Sequence, residues 1–496
     1  MLFYVFTALI CAIFYVWYRV IRCLNYWKDR NVPYVKPIFP LGNLGDVGKK
    51  HLGWALGDIY LKLKDKGDFA GIHFLMSPQI LPLSMDLIKN ILVTDFQYFT
   101  DRKIYYNEVD DPLSAHLFAI RGEKWRTWRQ LISPTFSSGK MKMMFPIVVS
   151  HANKLQKYIE KEVNTTSPIS MKHVSVRYAA DVIGMAAFGL ECNALVDDDS
   201  EIVKVGKYFF SFNTFIDRMK FFFQFSYEDL CRKLRMRFNH PILEEFFMRV
   251  IKETIRLRDT GVVDQNDFMK HLLEIRDSEK GAKMTFNELA AQAFVMFFGG
   301  FETSANTIEW FLCNMAGNPE IQDRARQEVN EVFKKYNGEL TFDSIKELTY
   351  LRQCVDETLR LYPPAAQLFR QCVKDYKIPG TDYIIEKDTQ IFIPVVGVHM
   401  DPDNYPNPEV FDPDRFTPEN IKSRHPMANL AFGAGPRNCV GMRFGLMQVT
   451  VGLAYILKNF KFTFDSKTKL PLEVDGNDVI LLPKGGAWFN VEKIAT

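Results

Sequence analysis

The chain has 496 residues, of which 47% are hydrophobic and 24% are charged, a balance typical of a folded globular protein and not of a disordered one. Its formal net charge of +3 is too small to indicate nucleic acid as a partner. The eight cysteines include no C-x-x-C pair and are too widely spread for a zinc site or a disulfide framework, which favours a reducing compartment.

The first predicted element is a membrane anchor. Residues 1–18 carry no charge, and the basic residues Arg19, Arg22, Lys28 and Arg30 follow them. A helix of that length spans roughly 27 Å, about the thickness of a hydrocarbon core. The alternative, a cleaved signal peptide, would carry its positive charge before the apolar run. Because the charges come after it, we expect residues 1–21 to be an uncleaved signal anchor, with the rest of the chain on the cytoplasmic side.

The segment after the anchor predicts a connector. Residues 22–45 are basic and include Pro33, Pro37 and Pro40, followed by Gly42. Proline fixes its own φ and pushes the preceding residue toward extended conformations. We therefore expect residues 22–45 to form a stiff link between the anchor and a globular domain.

The longest helix signal in the chain begins at Thr285. Thr285 and Glu288 form a capping-box pattern, an apolar run follows, and Gly317 with Pro319 predicts the end of the helix. A helix of about thirty residues would span roughly 45 Å, which is enough to cross a whole domain.

The middle of this helix contains the sequence GGFETS, residues 299–304. Two adjacent glycines cost about 1 kcal/mol each inside a helix, and close packing against another helix would explain them. Packing does not require Glu302 and Thr303, which interrupt an apolar segment. A face that meets a cofactor explains the whole set, with the Thr303 hydroxyl bonding to a ligand and the Glu302 carboxylate supplying protons. The hydroxyl of Thr303 can also bond to the carbonyl of Gly299, four residues earlier.

Two pairs of residues have a spacing that places both members on one face of a helix. They are Trp125 with Arg129, four residues apart, and Glu357 with Arg360, three residues apart. Alone, the Glu–Arg pair would be a solvated surface pair that contributes little to stability. A further pattern, P-x-x-F-x-P-x-R-F, is formed downstream by Pro408, Phe411, Pro413, Arg415 and Phe416.

The most specific pattern is FGAGPRNCVG, residues 432–441, just before a helix predicted to begin near Met442. An ordinary buried cysteine is the alternative interpretation of Cys439. The glycines favour a tightly bent loop, the helix start favours a thiolate, and Arg437 can pair with a carboxylate. A thiolate at Cys439 would be an axial ligand for a haem iron, and such ligation favours cleavage of the O–O bond.

This loop resembles the haem-binding loop of the cytochrome P-450 superfamily at Phe432, Gly435, Arg437, Cys439 and Gly441. The other motifs resemble those of the same family in the same order, and GGFETS is similar to its oxygen-activating motif. The resemblance covers essentially the whole chain. It implies a fold that is mainly α with small β-sheets, behind an N-terminal transmembrane anchor helix. Residues 46–496 are expected to be a single haem-binding monooxygenase domain.

The resemblance also implies roles for individual residues. The cofactor would be haem, iron-protoporphyrin IX with the axial thiolate of Cys439, and Thr303 and Glu302 would be catalytic. Glu357, Arg360 and Arg415 would form a buried structural network. The residues expected to bind the cofactor are Arg102, Trp125, Arg129, Gly300, Arg370, Phe432, Gly435, Arg437, Cys439 and Gly441.

Partners and location follow from the same resemblance. Electrons would come from NADPH-cytochrome P-450 reductase, with cytochrome b5 as an optional helper, because the chain has no dinucleotide fingerprint and no room for a flavin domain. Arg121, Lys124 and Arg126 are candidates for docking this reductase, and a solvated basic face is the alternative. The expected location is the endoplasmic reticulum membrane.

The substrate is expected to be a lipophilic small molecule. The sequences DYKIPGTD and LPKGGAW resemble insect microsomal members that metabolise xenobiotics such as plant toxins or insecticides. An endogenous hormone or fatty acid is the alternative substrate. A haem-thiolate isomerase and a non-enzymatic haem protein are alternative functions. The expected pocket walls are residues 105–120 with Phe118, Phe298, Phe301, residues 365–369 and 479–482, and a lid of Tyr208, Phe209, Phe210, Phe212, Phe215, Phe221, Phe222 and Phe223.

Overall fold

The computed structural model describes residues 1–45, 48–197, 199–206, 208–209, 214–262, 265, 267–278 and 284–494, without the side chains of Leu2 and Phe215. Most of these residues are helical. The α-helices are, in chain order, α1 (Leu2–Leu24), α2 (Leu52–Leu63), α3 (Met85–Lys89), α4 (Gly122–Ile132), α5 (Ser138–Thr165), α6 (Met171–Phe188), α7 (Glu201–Gly206), α8 (Phe215–Ser226), α9 (Glu228–Lys233), α10 (Pro241–Asp259), α11 (Phe268–Asp277), α12 (Phe286–Gly317), α13 (Pro319–Lys335), α14 (Thr349–Leu361), α15 (Val395–His399), α16 (Pro418–Ser423) and α17 (Met442–Asn459).

Short strands form three small sheets within the described residues. The largest has the order β1-β2-β7-β4, the second has the order β3-β9-β8, and the third pairs β5 with β6. The expectation of a mainly α fold with small β-sheets is therefore confirmed. The strands are β1 (Phe69–Phe74), β2 (Ser77–Pro82), β3 (Ile169–Ser170), β4 (Leu368–Gln371), β5 (Tyr376–Lys377), β6 (Ile384–Ile385), β7 (Gln390–Ile393), β8 (Phe460–Phe464) and β9 (Trp488–Lys493).

The N-terminal helix α1 stands apart from the packed structure. Among the described helices it is the one long and apolar enough to cross a membrane, over Phe3–Leu24, and that span is 0% buried. The polar groups of an exposed helix backbone are satisfied internally, which lets such a helix span a bilayer. The helix therefore fits the predicted anchor by length, composition and exposure.

The segment predicted as a connector packs against the first sheet. Trp27 is 1% exposed, its Nε1 donates to the Ile72 carbonyl at 3.0 Å, and Gly71 faces its ring with no room for a Cβ. Tyr34 forms a bridge with Gly71, so the chain lies along β1. Packed structure in this protein therefore begins at Trp27, well before residue 46.

The long helix α12 is the centre of the main hydrophobic core. It begins after Thr285, where the capping box with Glu288 is present, and ends at Gly317, just before Pro319 starts α13. Its 32 residues agree with the predicted length. It packs mainly along α6, and also against α14 and α17. Because it crosses the whole domain, its middle turns are fixed relative to the loop that precedes α17.

Candidate functional site

One internal cavity collects most of the predicted site residues. Its volume is about 430 Å³, and it is lined by the middle of α12, by the loop before α17 and by the start of β4. Ten of the twelve predicted site residues contribute to its lining. They are Arg102, Trp125, Arg129, Gly300, Thr303, Arg370, Phe432, Arg437, Cys439 and Gly441.

The cysteine loop is shaped by its own backbone. The Cys439 amide donates to the Phe432 carbonyl at 2.9 Å, which closes the loop on itself. Gly433 and Gly435 both adopt φ of 69°, a left-handed conformation that glycine tolerates best. A Cβ on Gly435 would also lie 1.8 Å from the Leu92 carbonyl oxygen. Gly435 does not line the cavity, so its place in the motif is explained by this close approach and by φ.

The sulfur of Cys439 opens into the cavity, next to the first turn of α17. Gly441 is the N-cap of that helix, and its φ of −88° is a conformation that residues other than glycine also adopt. Burial raises the pKa of the Cys439 thiol, whereas the Gly441 amide and the charges of Arg129 and Arg102 oppose the rise. The helix start therefore does not by itself produce a thiolate. A cation bound to the sulfur would, because metal ligation deprotonates a thiol outright.

Arg129 holds the cysteine loop from α4. Its Nη1 donates to the Asn438 carbonyl at 3.0 Å, and its Nη2 donates to the Asn438 side-chain oxygen at 2.7 Å. This double contact fixes the residue immediately before Cys439, and a guanidinium fork suits such a bidentate role.

Arg437 lies on the same side of the cavity and is almost fully buried. Its Nε donates to the Thr100 carbonyl at 2.7 Å, and its Nη2 donates to the Ile120 carbonyl at 2.9 Å. The guanidinium carbon is 4.1 Å from the ring centre of Trp125, which provides a cation–π contact. Burial lowers the pKa of Arg437 to about 9 despite the nearby Asp101 carboxylate. The group remains charged at neutral pH.

Four arginines, Arg102, Arg129, Arg370 and Arg437, converge on this part of the cavity and repel one another. Burial lowers the pKa of Arg370 to about 10, and burial together with the other three arginines lowers that of Arg102. Arg370 Nε and Arg437 Nη1 are buried and have no hydrogen-bond partner among the described residues. Orphaned buried donors are costly, and buried charges call for counter-ions. We refer to these four residues as the arginine cluster.

These observations fit haem. Its two propionate carboxylates would neutralise the arginine cluster and satisfy the two orphaned N–H donors. Its iron would bind the sulfur of Cys439. Among the described residues, Cys439 is the cysteine that lines the cavity. A cavity with a cysteine and an anion-seeking cluster is explained by one ligand that carries both a metal and carboxylates.

The α12 wall of the cavity carries Thr303. Its hydroxyl donates to the Gly299 carbonyl at 2.6 Å, the backbone bond that the sequence permitted. Gly299 also lines the cavity and has open space where a Cβ would be, whereas a Cβ on Gly300 would lie 2.7 Å from the Ile183 side chain. The two glycines therefore serve the two purposes predicted from the sequence. Gly299 leaves space for a cofactor, and Gly300 allows close packing against α6.

Glu302 does not line the cavity. It points away from Thr303 and forms an ion pair with Lys172 at the start of α6. Its side chain is 13% exposed. A direct proton transfer from Glu302 into the cavity is therefore not supported by this geometry, and any transfer from this side must pass through the helix turn.

The cavity walls away from the arginine cluster are largely aromatic. Phe118 and Phe298 line it as expected, as do residues 365–369, Val479 and Ile480. Phe301 is 1% exposed and packs against Phe209 and Phe297 instead, so its predicted place in the pocket wall is wrong. Of the predicted lid, Phe209 and Phe221 line the cavity, whereas Phe210, Phe212 and the side chain of Phe215 lie outside the described residues.

The basic residues predicted for docking are partly engaged within the protein. Arg121 pairs with Glu228 at 2.6 Å, and Lys124 contacts the carboxylates of Glu108 and Glu288. Arg126 keeps an exposed side chain. Arg126 pairs with Glu123 at 2.6 Å on the surface of α4, so all three residues form ion pairs within the protein, and Arg126 is the most exposed of them.

The predicted structural network is present on the other side of the core. Glu357 and Arg360 are both 0% exposed and are joined by two hydrogen bonds of 2.7 Å. Arg415 lies 3.4 Å from the same carboxylate, and the Asp412 amide donates to it at 3.0 Å. The surface alternative for this pair is thereby excluded.

Several residues at or near the site were not found from the sequence. Asn438 occupies a variable position of its motif, so nothing marked it as the partner of Arg129. His116 lines the cavity with a buried Nδ1 that has no partner among the described residues, and burial lowers its pKa to about 4. Lys172 of α6 and Glu309 of α12 do not line the cavity and belong to the region behind its α12 wall. The sequence offered one signal for Glu309, namely that an acidic residue interrupts the apolar second half of a long predicted helix.

Comparisons with known proteins agree with this geometry. The sequence model of a family described as Cytochrome P450 matches residues 32–490. Cytochrome P450 6A1 of Musca domestica is 40% identical over 479 residues, which cover 95% of this chain and 94% of the relative. Probable cytochrome P450 6a23 of Drosophila melanogaster is 40% identical over 483 residues, covering 95% of each chain. Cytochrome P450 6a8 of the same species is 39% identical, covering 96% of each.

Proposed function

We propose a specific activity from the premise that this chain belongs to the cytochrome P450 family and is a haem-thiolate monooxygenase. The activity is insertion of one oxygen atom into neutral lipophilic small molecules, namely xenobiotics such as plant toxins or insecticides. The observation that carries it is a single cavity that joins Cys439, Thr303 and an aromatic wall.

Each part of the cavity has a distinct task in this reaction. Haem bound through a thiolate supplies the activation of dioxygen, of which one atom enters the substrate and the other leaves as water. The arginine cluster and Trp125 hold the propionates, and Cys439 is the iron ligand. The Thr303 hydroxyl donates its proton to the Gly299 carbonyl, so its oxygen, presented at the α12 wall, would accept a hydrogen bond at the side of the cavity where the substrate binds.

Electrons for the reaction come from a partner. We propose NADPH-cytochrome P450 reductase as that partner, with cytochrome b5 as an optional second donor. The exposed Arg126 belongs to α4, whose Arg129 contacts the cysteine loop, and a basic side chain there suits an acidic surface. The apolar helix over Phe3–Leu24 supports anchoring in the endoplasmic reticulum membrane, where such a reductase would be available.

The cavity favours a neutral substrate over a fatty acid. Among the described residues, the arginines that line the cavity are the four of the arginine cluster, and His116 is neutral at physiological pH. Once haem occupies the cluster, no other cationic side chain among the described lining residues can bind a substrate carboxylate. The aromatic wall provides apolar surface and ring contacts for a lipophilic molecule.

The test is a turnover assay with the full chain in vesicles containing NADPH-cytochrome P450 reductase. Plant toxins and insecticides are compared with fatty acids and with the methyl esters of those acids. We expect oxygenated products that require NADPH and reductase, with the neutral compounds turned over faster than the acids. Exclusive turnover of free acids would contradict the substrate class. Rearrangement of peroxides without NADPH would favour a haem-thiolate isomerase instead.

A further inference from the structure

A polar stripe runs along one side of α12, behind the cavity wall. Glu302, Asn306 and Glu309 are spaced four and three residues apart, which places them on one helical face. None of the three lines the cavity. Asn306 is fully buried and Glu309 is 1% exposed. Fully buried carboxylates are rare unless they are paired, so this stripe requires an explanation.

The buried polar atoms of the stripe are poorly satisfied in the part of the chain that the structure describes. Neither amide atom of Asn306 has a hydrogen-bond partner there, and the Glu309 carboxylate faces the backbone amide of Ala487 without a hydrogen bond of normal geometry. Such groups in native proteins are satisfied by ordered water when the site is polar and offers several partners. Asn306 both donates and accepts, so a water held there can also reach a carboxyl group on either side.

The surroundings favour the protonated form of Glu309. The pKa of Glu309 is raised to about 7. Burial is the main cause and the Glu302 carboxylate adds to it, whereas Lys172 and the Ala487 backbone amide lower the pKa. Cys313 lies one turn farther along the same face, and burial together with Glu309 raises the pKa of its thiol. Glu309 is thus a carboxyl group that changes its protonation near neutral pH.

A loop between β8 and β9 brings further acidic groups to the same lysine. Burial and the nearby Asp475 raise the pKa of Asp478 to about 6, Lys172 opposes the rise and Glu302 adds to it. Asp478 is half-buried and therefore connects this region to solvent. The charges that face the stripe are accordingly Lys172 from α6 and these two aspartates from the loop.

Glu302 and Glu309 differ in their partners. Glu302 forms an ion pair with Lys172, whereas Glu309 has no cationic side chain within ion-pair distance among the described residues. The two residues are seven positions apart, and their Cα atoms are therefore about 10 Å apart along the helix axis. A direct hydrogen bond across two turns is unfavourable, whereas Asn306 lies between them and can hold a bridging water.

We propose that Glu309 is an internal proton store, which passes its proton through water held at Asn306 to the carboxylate of Glu302. The transfer breaks the O–H bond of Glu309 and forms one on Glu302, the residue directly before Thr303 in the helix. Glu309 is left as a carboxylate near Lys172 and is reprotonated from solvent on the Asp478 side. The inference rests on the proposed function and deepens it, because the store supplies the protons that oxygen activation consumes.

The first test is infrared spectroscopy of the haem-loaded protein, recorded on both sides of pH 7 without turnover. The wild type should show a carbonyl-stretching band of a protonated carboxylic acid that disappears as the pH rises through about 7. Glu309→Gln should lack this band, whereas the surface variant Glu347→Gln should retain it. An unchanged band in Glu309→Gln would overturn the assignment of the store.

The second test is the pH dependence of coupling, measured as product formed per NADPH consumed. Wild-type coupling should fall as the pH rises through about 7, and Glu309→Gln should be poorly coupled, by about tenfold, and insensitive to pH in that range. Glu347→Gln should follow the wild type. A wild-type pH profile in Glu309→Gln would mean that the carboxyl group is not connected to the reaction.

Asn306→Leu tests the role of the bridging water while leaving the Glu309 carboxyl group in place. This variant removes no protein hydrogen bond seen in the described residues, so it should fold, keep the infrared band and lose coupling. Wild-type coupling in Asn306→Leu would overturn the water bridge. If the wild type oxidises no compound in the panel, the proposed function fails, while the infrared band still reports on Glu309 independently.

Discussion

Thr303 and Glu302 are adjacent in the sequence, yet they face different surroundings. Thr303 lines the cavity and bonds to the Gly299 carbonyl, whereas Glu302 faces Lys172 on the other side of α12. Adjacent residues of a helix differ by about 100° in direction, so a two-residue motif need not act at one point. We therefore propose separate roles for the two residues, with the hydroxyl oxygen accepting a hydrogen bond at the cavity and the carboxylate acting behind it.

Replacement of Thr303 should separate NADPH consumption from product formation. Thr303→Ala removes the hydroxyl oxygen that would accept a hydrogen bond at the cavity wall and so position a proton donor there, and we expect product per NADPH to fall by about tenfold and peroxide to accumulate. Thr303→Ser keeps the hydroxyl and is the matched control. Coupling in Thr303→Ala equal to that of the wild type would show that this hydroxyl has no such role.

At the scale of elements, the bracing network connects α14 to the segment that contains Arg415. Burial raises the pKa of Glu357, and the hydrogen bonds and charge of Arg360 oppose the rise. The carboxylate thus compensates two buried or half-buried guanidinium groups. Its contribution is structural, since none of the three residues lines the cavity.

Removal of this carboxylate charge should destabilise the fold. Glu357→Gln leaves Arg360 buried without a counter-ion, and we expect a loss of about 3–5 kcal/mol in the free energy of unfolding. Urea denaturation followed by tryptophan fluorescence measures this, together with haem content. The control is Glu331→Gln on the surface of α13, where Glu331 accepts a bond from Gln327. Equal midpoints for the two variants would contradict a stabilising role for the network.

The sequence predicted helices better than side-chain directions. The capping box of Thr285 and Glu288, the stop at Gly317 and the start of α17 at Met442 were all predictable from local signals. The direction of Glu302 was not, because it depends on Lys172, more than a hundred residues earlier in the chain. Phe301 was misplaced for a related reason, since its contact with Phe209 comes from a distant part of the chain.

At the scale of the whole molecule, the N-terminal segment divides at about residue 25. The helix before it is exposed, whereas Trp27 is buried against β1. Proline content predicted an extended segment, but a single buried tryptophan joins that segment to the domain. The anchor is therefore held close to the sheet rather than on a free link.

Two variants test this division. Removal of residues 2–20 should release the protein from membranes and leave haem binding intact, because these residues bury none of their span in the domain. Trp27→Ala in that shortened protein should lower the free energy of unfolding by about 3–5 kcal/mol, as expected for the loss of a buried tryptophan. Unaltered urea denaturation of Trp27→Ala would mean that residues 22–45 behave as a connector.

The central claim is that the sulfur of Cys439 ligates the haem iron. The most direct measurement is the absorption spectrum of the reduced protein with carbon monoxide, compared between the wild type and Cys439→Ser. We predict the red-shifted Soret band of a haem-thiolate protein in the wild type and its loss in Cys439→Ser, because the thiolate ligand is gone. An unaltered red-shifted band in Cys439→Ser would contradict the account.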